Sequence, residues 1–241
     1  MPERFLRTEM LLGPEAMARL RESHVAVFGL GGVGSWCAEA LARTGVGTLT
    51  LVDQDTVSES NCNRQLCATA ATVGRPKAEV MAARLKEICP ESSFLPVAAR
   101  YAPDTRAQFF SPPPEWDYLA DCIDLVSCKL DLIVSAREAG VPVVSALGTG
   151  NKLDAGLLEL CDISRTKNCP LARVVRRELR RQYGIEHLTV VYSPEAPRAP
   201  REGEAPPPGR RSVPGSLVWV PAAAGLRMAQ HIVLELVREW I

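Results

Sequence analysis

The sequence Val25-Ala26-Val27-Phe28-Gly29-Leu30-Gly31-Gly32-Val33-Gly34 joins a short apolar run to a turn with four glycines. Residues 35–43 continue as an amphipathic run, so the pattern predicts a strand, a tight turn and a helix. Glycines at such a turn let the backbone approach a phosphate, and the N-terminus of the following helix offers free N–H groups. The candidate phosphate-binding residues are therefore Gly29, Gly31, Gly32 and Gly34.

A second predicted strand, over residues 48–53, ends on Asp53. A carboxylate at this position of a nucleotide-binding fold can hold the hydroxyl groups of a ribose. The first half of the chain is therefore predicted to bind an adenine nucleotide. The glycine motif does not choose between nucleotides, because an NAD-dependent dehydrogenase would carry the same signature.

Polar and charged residues after Asp53 favour ATP over a dinucleotide: Asp55, Asn61, Arg64, Lys77 and Asp124. Backbone donors can meet the two phosphate charges of a dinucleotide. The triphosphate of ATP carries a charge of about −4 and is usually bound by Arg, Lys and Mg²⁺. Arg64 and Lys77 can supply the cations, and Asp124, expected at the end of a strand on the carboxyl edge of the sheet, can hold the metal. We therefore expect ATP and Mg²⁺ as the cofactors.

The composition is that of a globular protein without a global charge. The chain has 241 residues, 46% hydrophobic and 23% charged, with a formal net charge of zero. No overall field recruits nucleic acid, so any such site must be a local basic patch. We find no signal peptide and no membrane span, and residues 217–237 predict a buried amphipathic helix. Eight cysteines without a C-x-x-C pair indicate a cytoplasmic protein that lacks a zinc site.

Apolar and amphipathic runs alternate along the first 150 residues. Strands are predicted at 24–28, 48–53, 93–98, 116–121 and 142–147, and helices at 33–44, 76–89, 103–110 and 126–139. Apolar strands separated by helices predict an α/β fold with a Rossmann-like, mostly parallel sheet and helices on both faces. A further strand over 156–162 is expected to start an antiparallel extension.

The chain is expected to form one domain in three parts. Residues 1–22 predict an N-terminal helical arm, residues 23–150 the nucleotide-binding core, and residues 151–241 an extension on the substrate side. The extension contains a Pro-rich loop over 194–214, whose composition fits both a lid and a tolerated insertion.

Four arginines recur at helical spacing within residues 165–182: Arg173, Arg176, Arg177 and Arg180. Few acidic residues interrupt them, so this helix can be a track for the phosphate backbone of RNA. It can equally be a solvated surface helix whose arginine stems cover the core. Both interpretations stay open on the sequence alone.

An ordered set of motifs covers the first 150 residues: Gly29 to Trp36, Asp53-x-Asp55-x-Val57, Asn61-x-Asn63-Arg64-Gln65, Val73 to Lys77, and Asp121-x-x-Asp124. This set resembles the ThiF, MoeB and HesA adenylating superfamily, to which the ubiquitin-activating enzymes also belong. Within it, Gly34-Ser35-Trp36 and the runs 170–173, 176–180 and 191–195 are similar to the branch that acts on threonylcarbamoyladenosine in tRNA.

The resemblance implies that the chain adenylates the carboxylate of a threonylcarbamoyl group on the tRNA adenosine next to the anticodon. Ring closure within the substituent then expels AMP. Asp124 would hold Mg²⁺ and Asp53 the ribose. Arg64, Lys77 and an N-terminal arginine would balance the charge of the departing pyrophosphate. That arginine is Arg4 or Arg7, with Arg7 preferred. The resemblance also implies a homodimer, in which the N-terminal arginine reaches the partner's ATP, and a cysteine desulfurase or sulfur-acceptor system as a further partner.

Two other functions stay open at this stage. The chain could activate the C-terminus of a ubiquitin-like sulfur-carrier protein, although it lacks the paired C-x-x-C zinc ligands usual in that branch. It could also be an NAD-binding or regulatory module. The combination of Arg64, Lys77 and Asp124 argues against this, because a dinucleotide needs neither the extra cations nor a metal ligand. Cys169, just before the basic helix, is a possible thiol participant, but no base stands beside it in the sequence. Leu125 stands where relatives often have Asn or Ser, which puts one nucleotide contact in doubt.

Overall fold

A seven-stranded sheet runs through the part of the chain that the computed structural model describes, residues 2–199 and 214–241. Its strands are β1 (His24–Phe28), β2 (Thr48–Val52), β3 (Ser93–Val97), β4 (Tyr118–Asp121), β5 (Val143–Ala146), β6 (Glu159–Asp162) and β7 (Thr189–Tyr192). The strand order is β3-β2-β1-β4-β5-β7-β6, and all neighbours are parallel except β6, which is antiparallel to β7. The predicted α/β, Rossmann-like sheet with an antiparallel extension is confirmed.

Helices cover both faces of this sheet. They are α1 (Leu6–Leu12), α2 (Pro14–Glu22), α3 (Gly34–Thr44), α4 (Lys77–Ile88), α5 (Ala107–Phe110), α6 (Val126–Glu138), α7 (Pro170–Tyr183) and α8 (Trp219–Leu236). Helices α2, α3, α4 and α8 pack into one core, and α5, α6 and α7 into the other. Alternate side chains of a strand point to opposite faces, so β1 places Val25 and Val27 in the first core and Ala26 and Phe28 in the second.

Several element boundaries differ from the prediction because side chains cap local turns. The helix predicted over 103–110 is reduced to α5, since the Thr105 hydroxyl accepts from the Ala102 N–H and donates to the Arg100 carbonyl. The strand predicted over 156–162 begins only at Glu159, because the Asp154 carboxylate caps a 3₁₀ turn at Ala155–Leu157.

Two strands also depart from the expected pattern. β7 was not predicted, and it separates β5 from β6, which is why the extension is antiparallel only at its outer edge. β3 lies at the other edge and is not covered on both faces, since Leu95 is 46% exposed. An edge strand tolerates Pro96, which cannot donate to a sheet ladder.

The C-terminal region follows the prediction in part. The helix predicted over 217–237 is α8, which packs along α3 through Ala224, Met228 and Ile232. None of the helices in the described ranges is long and apolar enough to cross a membrane. Most of the predicted Pro-rich loop, residues 200–213, lies outside the described residues.

Candidate nucleotide and substrate site

The glycine turn is tightly packed between β1 and α3. Gly29 has a φ of +89°, and a Cβ added there would lie 2.8 Å from the Cys122 carbonyl oxygen. A Cβ added to Gly34 would lie 1.8 Å from the Gly29 carbonyl oxygen. Because α3 begins at Gly34, the positive end of its dipole faces the turn. Gly31 and Gly32 lie between these positions and are partly exposed, so the four predicted glycines form one concave backbone surface that suits a phosphate.

A carboxylate after β2 holds this turn in place. Asp53 Oδ2 accepts from the Leu30 N–H at 2.6 Å, and Oδ1 accepts from the Asp55 N–H at 2.8 Å. Burial raises the pKa of Asp53, and the nearby charge of Lys77 opposes that rise. The structure thus gives Asp53 a turn-stabilising role, and its contact with a ribose stays a prediction.

Lys77 is a buried cation at the first position of α4. Its Nζ donates to Asp55 Oδ2 at 3.0 Å, and its side chain is 6% exposed whereas that of Asp55 is 56% exposed. The Lys77 N–H also donates to the Asp55 carbonyl. The amine is therefore held beside Asp53 and the glycine turn, where two acidic side chains balance its charge.

Arg64 lies over the glycine turn from the other side. Its Cγ is 3.6 Å from the position that a Cβ on Gly32 would occupy, and the Trp36 indole donates to its carbonyl at 3.2 Å. The guanidinium donates to the Ser60 carbonyl and to Asn63 Oδ1, at 2.9 and 2.8 Å. Asn61 has a local task, since its buried side chain accepts from the Ser58 N–H and closes a 3₁₀ turn.

A buried ion pair underlies the loop after β4. Asp121 Oδ2 contacts Lys129 Nζ at 2.5 Å and accepts from the Ser145 hydroxyl at 2.6 Å, and both charged side chains are fully buried. Asp121 Oδ1 accepts from the Ile123 N–H at 3.1 Å, which fixes the loop that carries Asp124. The sequence prediction did not include Lys129 or Ser145. The available signal was an aspartate ending an apolar strand with a lysine eight residues further on.

Asp124 lies in this loop and not at the end of a strand as expected, because β4 ends at Asp121. Its side chain is exposed, two residues before α6 begins. Gly29 meets the backbone of the same loop at Cys122 and Ile123. The loop of Asp124 therefore borders the glycine turn.

Arg7 is not brought to this site within its own chain. It lies on α1, beside Leu11 and the C-terminal residue of α3, Thr44. The glycine turn is at the N-terminal end of α3, roughly 16 Å away along the helix axis. Arg4 is held elsewhere by the Ile88 carbonyl and Glu91.

The arginines of α7 line one groove of about 730 Å³, together with Arg181, Glu186 and His187. The few acidic residues nearby nevertheless pair with several of these arginines. Glu178 pairs with Arg177 and Arg181 at 2.7 and 2.9 Å, and Glu186 pairs with Arg180 at 3.1 Å.

Arg176 differs from its neighbours on α7. Its guanidinium donates to the Thr166 carbonyl at 3.0 Å, to the Thr166 hydroxyl at 2.5 Å and to the Ile163 carbonyl at 3.3 Å. These bonds join α7 to the preceding turn, so Arg176 has a structural task that the helical spacing did not reveal.

Cys169 is a helix cap in this structure. Its buried Sγ accepts from the Ala172 N–H at 3.4 Å at the start of α7 and packs against Gly148. Lys152 is the charged neighbour of the thiol. Its amine is occupied by the Ser193 and Glu195 carbonyls. The geometry gives Cys169 a structural role.

Comparisons with known proteins agree with this arrangement. The sequence pattern of the ThiF family matches residues 5–233. The tRNA threonylcarbamoyladenosine dehydratase of Bacillus subtilis (strain 168) is 38% identical over 247 aligned residues, which cover 99% of this chain and 96% of the relative. The crystal structure of the E. coli tRNA N6-threonylcarbamoyladenosine dehydratase in complex with ATP superposes with a TM-score of 0.88 and 35% identity, covering 98% of this chain and 94% of that one.

A further relative with a different name matches a smaller part of the chain. The molybdopterin-synthase adenylyltransferase of Salmonella typhimurium (strain LT2) is 39% identical over 131 residues, which cover 54% of this chain and 51% of the relative. The match to the ThiF family spans residues 5–233. It therefore includes the glycine turn, Arg64, Lys77 and the loop of Asp124. The chain belongs to the ThiF family.

Proposed function

We propose that this protein uses ATP to dehydrate the threonylcarbamoyl group on the tRNA adenosine next to the anticodon. The observation that carries this function is the 38% identity to a dehydratase over 99% of the chain, including the extension after residue 150. The molybdopterin-synthase adenylyltransferase matches 54% of the chain, so the match over almost the whole length favours the dehydratase.

In this reaction the substrate carboxylate attacks the α-phosphorus of ATP. The bond to the bridging oxygen of the β-phosphate breaks, pyrophosphate leaves, and an acyl-adenylate remains. An atom of the same substituent then attacks the acyl carbon, the acyl–oxygen bond breaks, and AMP leaves with the release of one proton. Ring closure inside one substituent has a high effective molarity, so no enzyme nucleophile is needed.

The chain's own groups meet the charge that moves during adenylation. The backbone N–H groups of the glycine turn and the start of α3 bind the phosphates. Lys77 and Arg64 flank the turn and stabilise the charge on the departing pyrophosphate, as preorganised cations do in phosphoryl chemistry. Asp53 holds the turn and is placed to bind the ribose.

Mg²⁺ is the second cofactor in this proposal, and Asp124 is the residue that would hold it. The described residues contain no cluster of three His, Cys, Asp or Glu side chains that could hold a metal ion. Mg²⁺ bound with ATP does not require one, because it usually takes one or two carboxylates together with phosphate oxygens and waters. Asp124 presents an exposed carboxylate, whereas the side chain of Asp121 is fully buried beside Lys129. When bound, the ion neutralises triphosphate charge.

The groove on α7 is the proposed surface for the tRNA backbone. Arg173, Arg177 and Arg180 are exposed along it, and Arg181 adds a further cation. Glu178 and Glu186 hold several of these guanidinium groups in place without burying them. Arg176 is left out of the proposed contacts because the preceding turn engages it.

A second copy of the chain is the proposed partner for an exposed apolar surface on α1 and α8. Met10 and Leu11 on α1 are 84% and 85% exposed, and Leu11 lines a groove together with Leu226 and Leu234 of α8. A continuous apolar surface of this kind marks an interaction site. Arg7 borders it, so a dimer would carry Arg7 toward the partner's ATP. From the cysteine usage we further propose a cytoplasmic location, and from the family resemblance a cysteine desulfurase or sulfur-acceptor system as a partner.

Release of pyrophosphate from ATP tests the function. The purified protein is given tRNA that carries the threonylcarbamoyl group, the same tRNA without it, or a ubiquitin-like sulfur-carrier protein. We expect release only with the modified tRNA, together with a product that is lighter by one water in mass spectrometry. Release triggered by the carrier protein, and not by tRNA, would establish the sulfur-carrier function instead.

A further inference from the structure

The segment that leads into α8 crosses the glycine turn. Asn63, the residue before Arg64, donates a hydrogen bond from its side-chain amide to the Ser216 carbonyl at 3.0 Å. Further along, Pro221 is so close that a Cβ on Gly32 would lie 3.2 Å from Pro221 Cβ. Residues 216–221 therefore form one wall of the proposed nucleotide site.

Trp219 lies in this wall and is held rigidly although half of it faces solvent. Its side chain is 50% exposed, and its indole Nε1 donates to the Leu153 carbonyl at 2.6 Å. Leu153 is itself fixed, since its N–H donates to the Glu195 carboxylate. The hydrogen bond fixes the polar edge of the indole against Leu153, while half of the side chain stays exposed.

Exposed apolar side chains continue around this ring. Leu153 is 41% exposed and Val218 is 38% exposed. A flat, preorganised aromatic surface with an apolar border costs free energy in water unless something covers it. Pro221, two residues further along the same segment, contacts the glycine turn at Gly32, so the occupant considered for this surface is a part of the substrate near the reacting group.

We propose that Trp219 is a stacking platform for the adenine base whose substituent is adenylated. The inference rests on the proposed function, in which the reacting carboxylate is attached to that base. Sequence-specific RNA proteins commonly splay unpaired loop bases onto aromatic side chains, and every base offers such a face. The α7 groove would bind backbone phosphates, and Trp219 would hold the base.

The test measures binding of two anticodon stem-loop RNAs by fluorescence anisotropy. One carries an unmodified adenine next to the anticodon, and the other is abasic at that position. We expect Trp219→Ala to weaken binding of the first RNA roughly tenfold, a usual effect of removing one stacking partner, and to leave binding of the abasic RNA unchanged. Trp219→Phe keeps an aromatic face and should stay within about threefold of the original protein.

Trp240→Ala is the matched control. Trp240 is 42% exposed and follows the far end of α8, roughly 27 Å from Trp219 along the helix. It should not change the affinity for either RNA. The circular dichroism spectrum and urea midpoint of Trp219→Ala should match those of the original protein, which shows that the variant is folded.

The outcomes separate this inference from the proposed function. Suppose that the wild-type enzyme releases pyrophosphate with modified tRNA, but Trp219→Ala weakens binding of both RNAs equally or of neither. The stacking platform is then wrong and the proposed function stands. If the wild-type enzyme releases no pyrophosphate with modified tRNA, the proposed function is wrong, and the stacking platform that rests on it is wrong too.

Discussion

Lys77 shows how a single side chain is prepared for a triphosphate. The ammonium group is almost fully buried, yet its ion-pair partner Asp55 is largely exposed. A Lys side chain has three N–H donors, so phosphate oxygens can join or replace Asp55 without moving the lysine. Its stem is anchored by the start of α4, so little ordering is required when the nucleotide arrives.

We expect Lys77→Ala and Arg64→Ala each to lower kcat/KM for adenylation about 10²-fold or more, because each removes a preorganised cation from the charge that develops on pyrophosphate. Pyrophosphate release measures the effect. Lys86→Ala is the control, since Lys86 lies in the last turn of the same helix and donates to the Ser92 carbonyl. Unchanged turnover in a folded Lys77→Ala protein would exclude Lys77 from the mechanism.

Two partly buried histidines, His24 and His231, give the fold a dependence on pH. Burial lowers the pKa of His231 and of His24, although Glu235 acts against this at His231 and Asp117 at His24. Below the usual His value of 6.5, the unfolded chain therefore binds more protons than the folded chain. The free energy of unfolding should fall as the pH drops below that value, and urea denaturation between pH 7.5 and 5.5 measures it. His231→Gln should flatten the curve, and an unchanged slope would contradict the assignment.

The connection from β4 to α6 depends on the pair Asp121–Lys129. Both groups are fully buried, so removing one partner leaves an uncompensated charge. Lys129→Met should cost about 3–5 kcal/mol of unfolding free energy, whereas the double variant Asp121→Asn with Lys129→Met should recover part of it. Urea denaturation of the two variants gives the comparison. A double variant that is less stable than Lys129→Met would show that the hydrogen bond to Ser145 outweighs the charge pair.

The arginines of α7 have two different roles: Arg173 and Arg180 are exposed at the groove, whereas Arg176 is bonded to the preceding turn. Changing Arg173 and Arg180 to Glu should weaken tRNA binding and lower its salt slope by about one for each phosphate that no longer pairs with an arginine, with ATP affinity unchanged. Filter binding at several salt concentrations measures both quantities.

Arg176→Ala is the contrasting variant on the same helix. It loses the bonds to Thr166 and should lower stability by about 1–3 kcal/mol. If the variant with Glu at positions 173 and 180 keeps the wild-type salt dependence of tRNA binding, α7 is only a solvated surface helix.

For the chain as a whole, the apolar surface on α1 and α8 and the distance of Arg7 from its own glycine turn point to the same assembly. Met10→Asp combined with Leu11→Asp should shift the protein from dimer to monomer in light scattering, because the charges would be buried at the interface. A dimer that persists would place the interface elsewhere.

Mixing two inactive variants tests the role of Arg7. Arg7→Ala and Lys77→Ala subunits should each be impaired alone, and their mixed dimer should regain turnover, since one of its sites then has Lys77 from one subunit and Arg7 from the other. An arginine that acts on its own subunit's ATP would give no recovery in the mixture.

Local patterns along the chain were sufficient for much of this architecture. Helix and strand periods depend on neighbours a few residues apart, so β1, α3, β2, α4 and α6 were predicted to within one or two residues. The glycine turn was also readable, because only glycine fits a φ of +89° at Gly29 together with the close backbone approach at Gly34. The elements that differed, α5 and β6, begin where a side chain caps the backbone and competes with the periodic pattern.

The tertiary structure decided which charged side chains are available. Asp121 and Asp124 share one motif, yet packing against Lys129 buries the first and leaves the second at the surface. Arg173 and Arg176 recur at helical spacing on α7, yet only Arg176 donates a hydrogen bond to the Ile163 carbonyl, thirteen residues earlier. The sequence by itself determined the layered fold, its nucleotide turn and the family, because those follow from local spacing and ordered motifs. The roles of individual charges came only from contacts between distant segments, which no local period encodes.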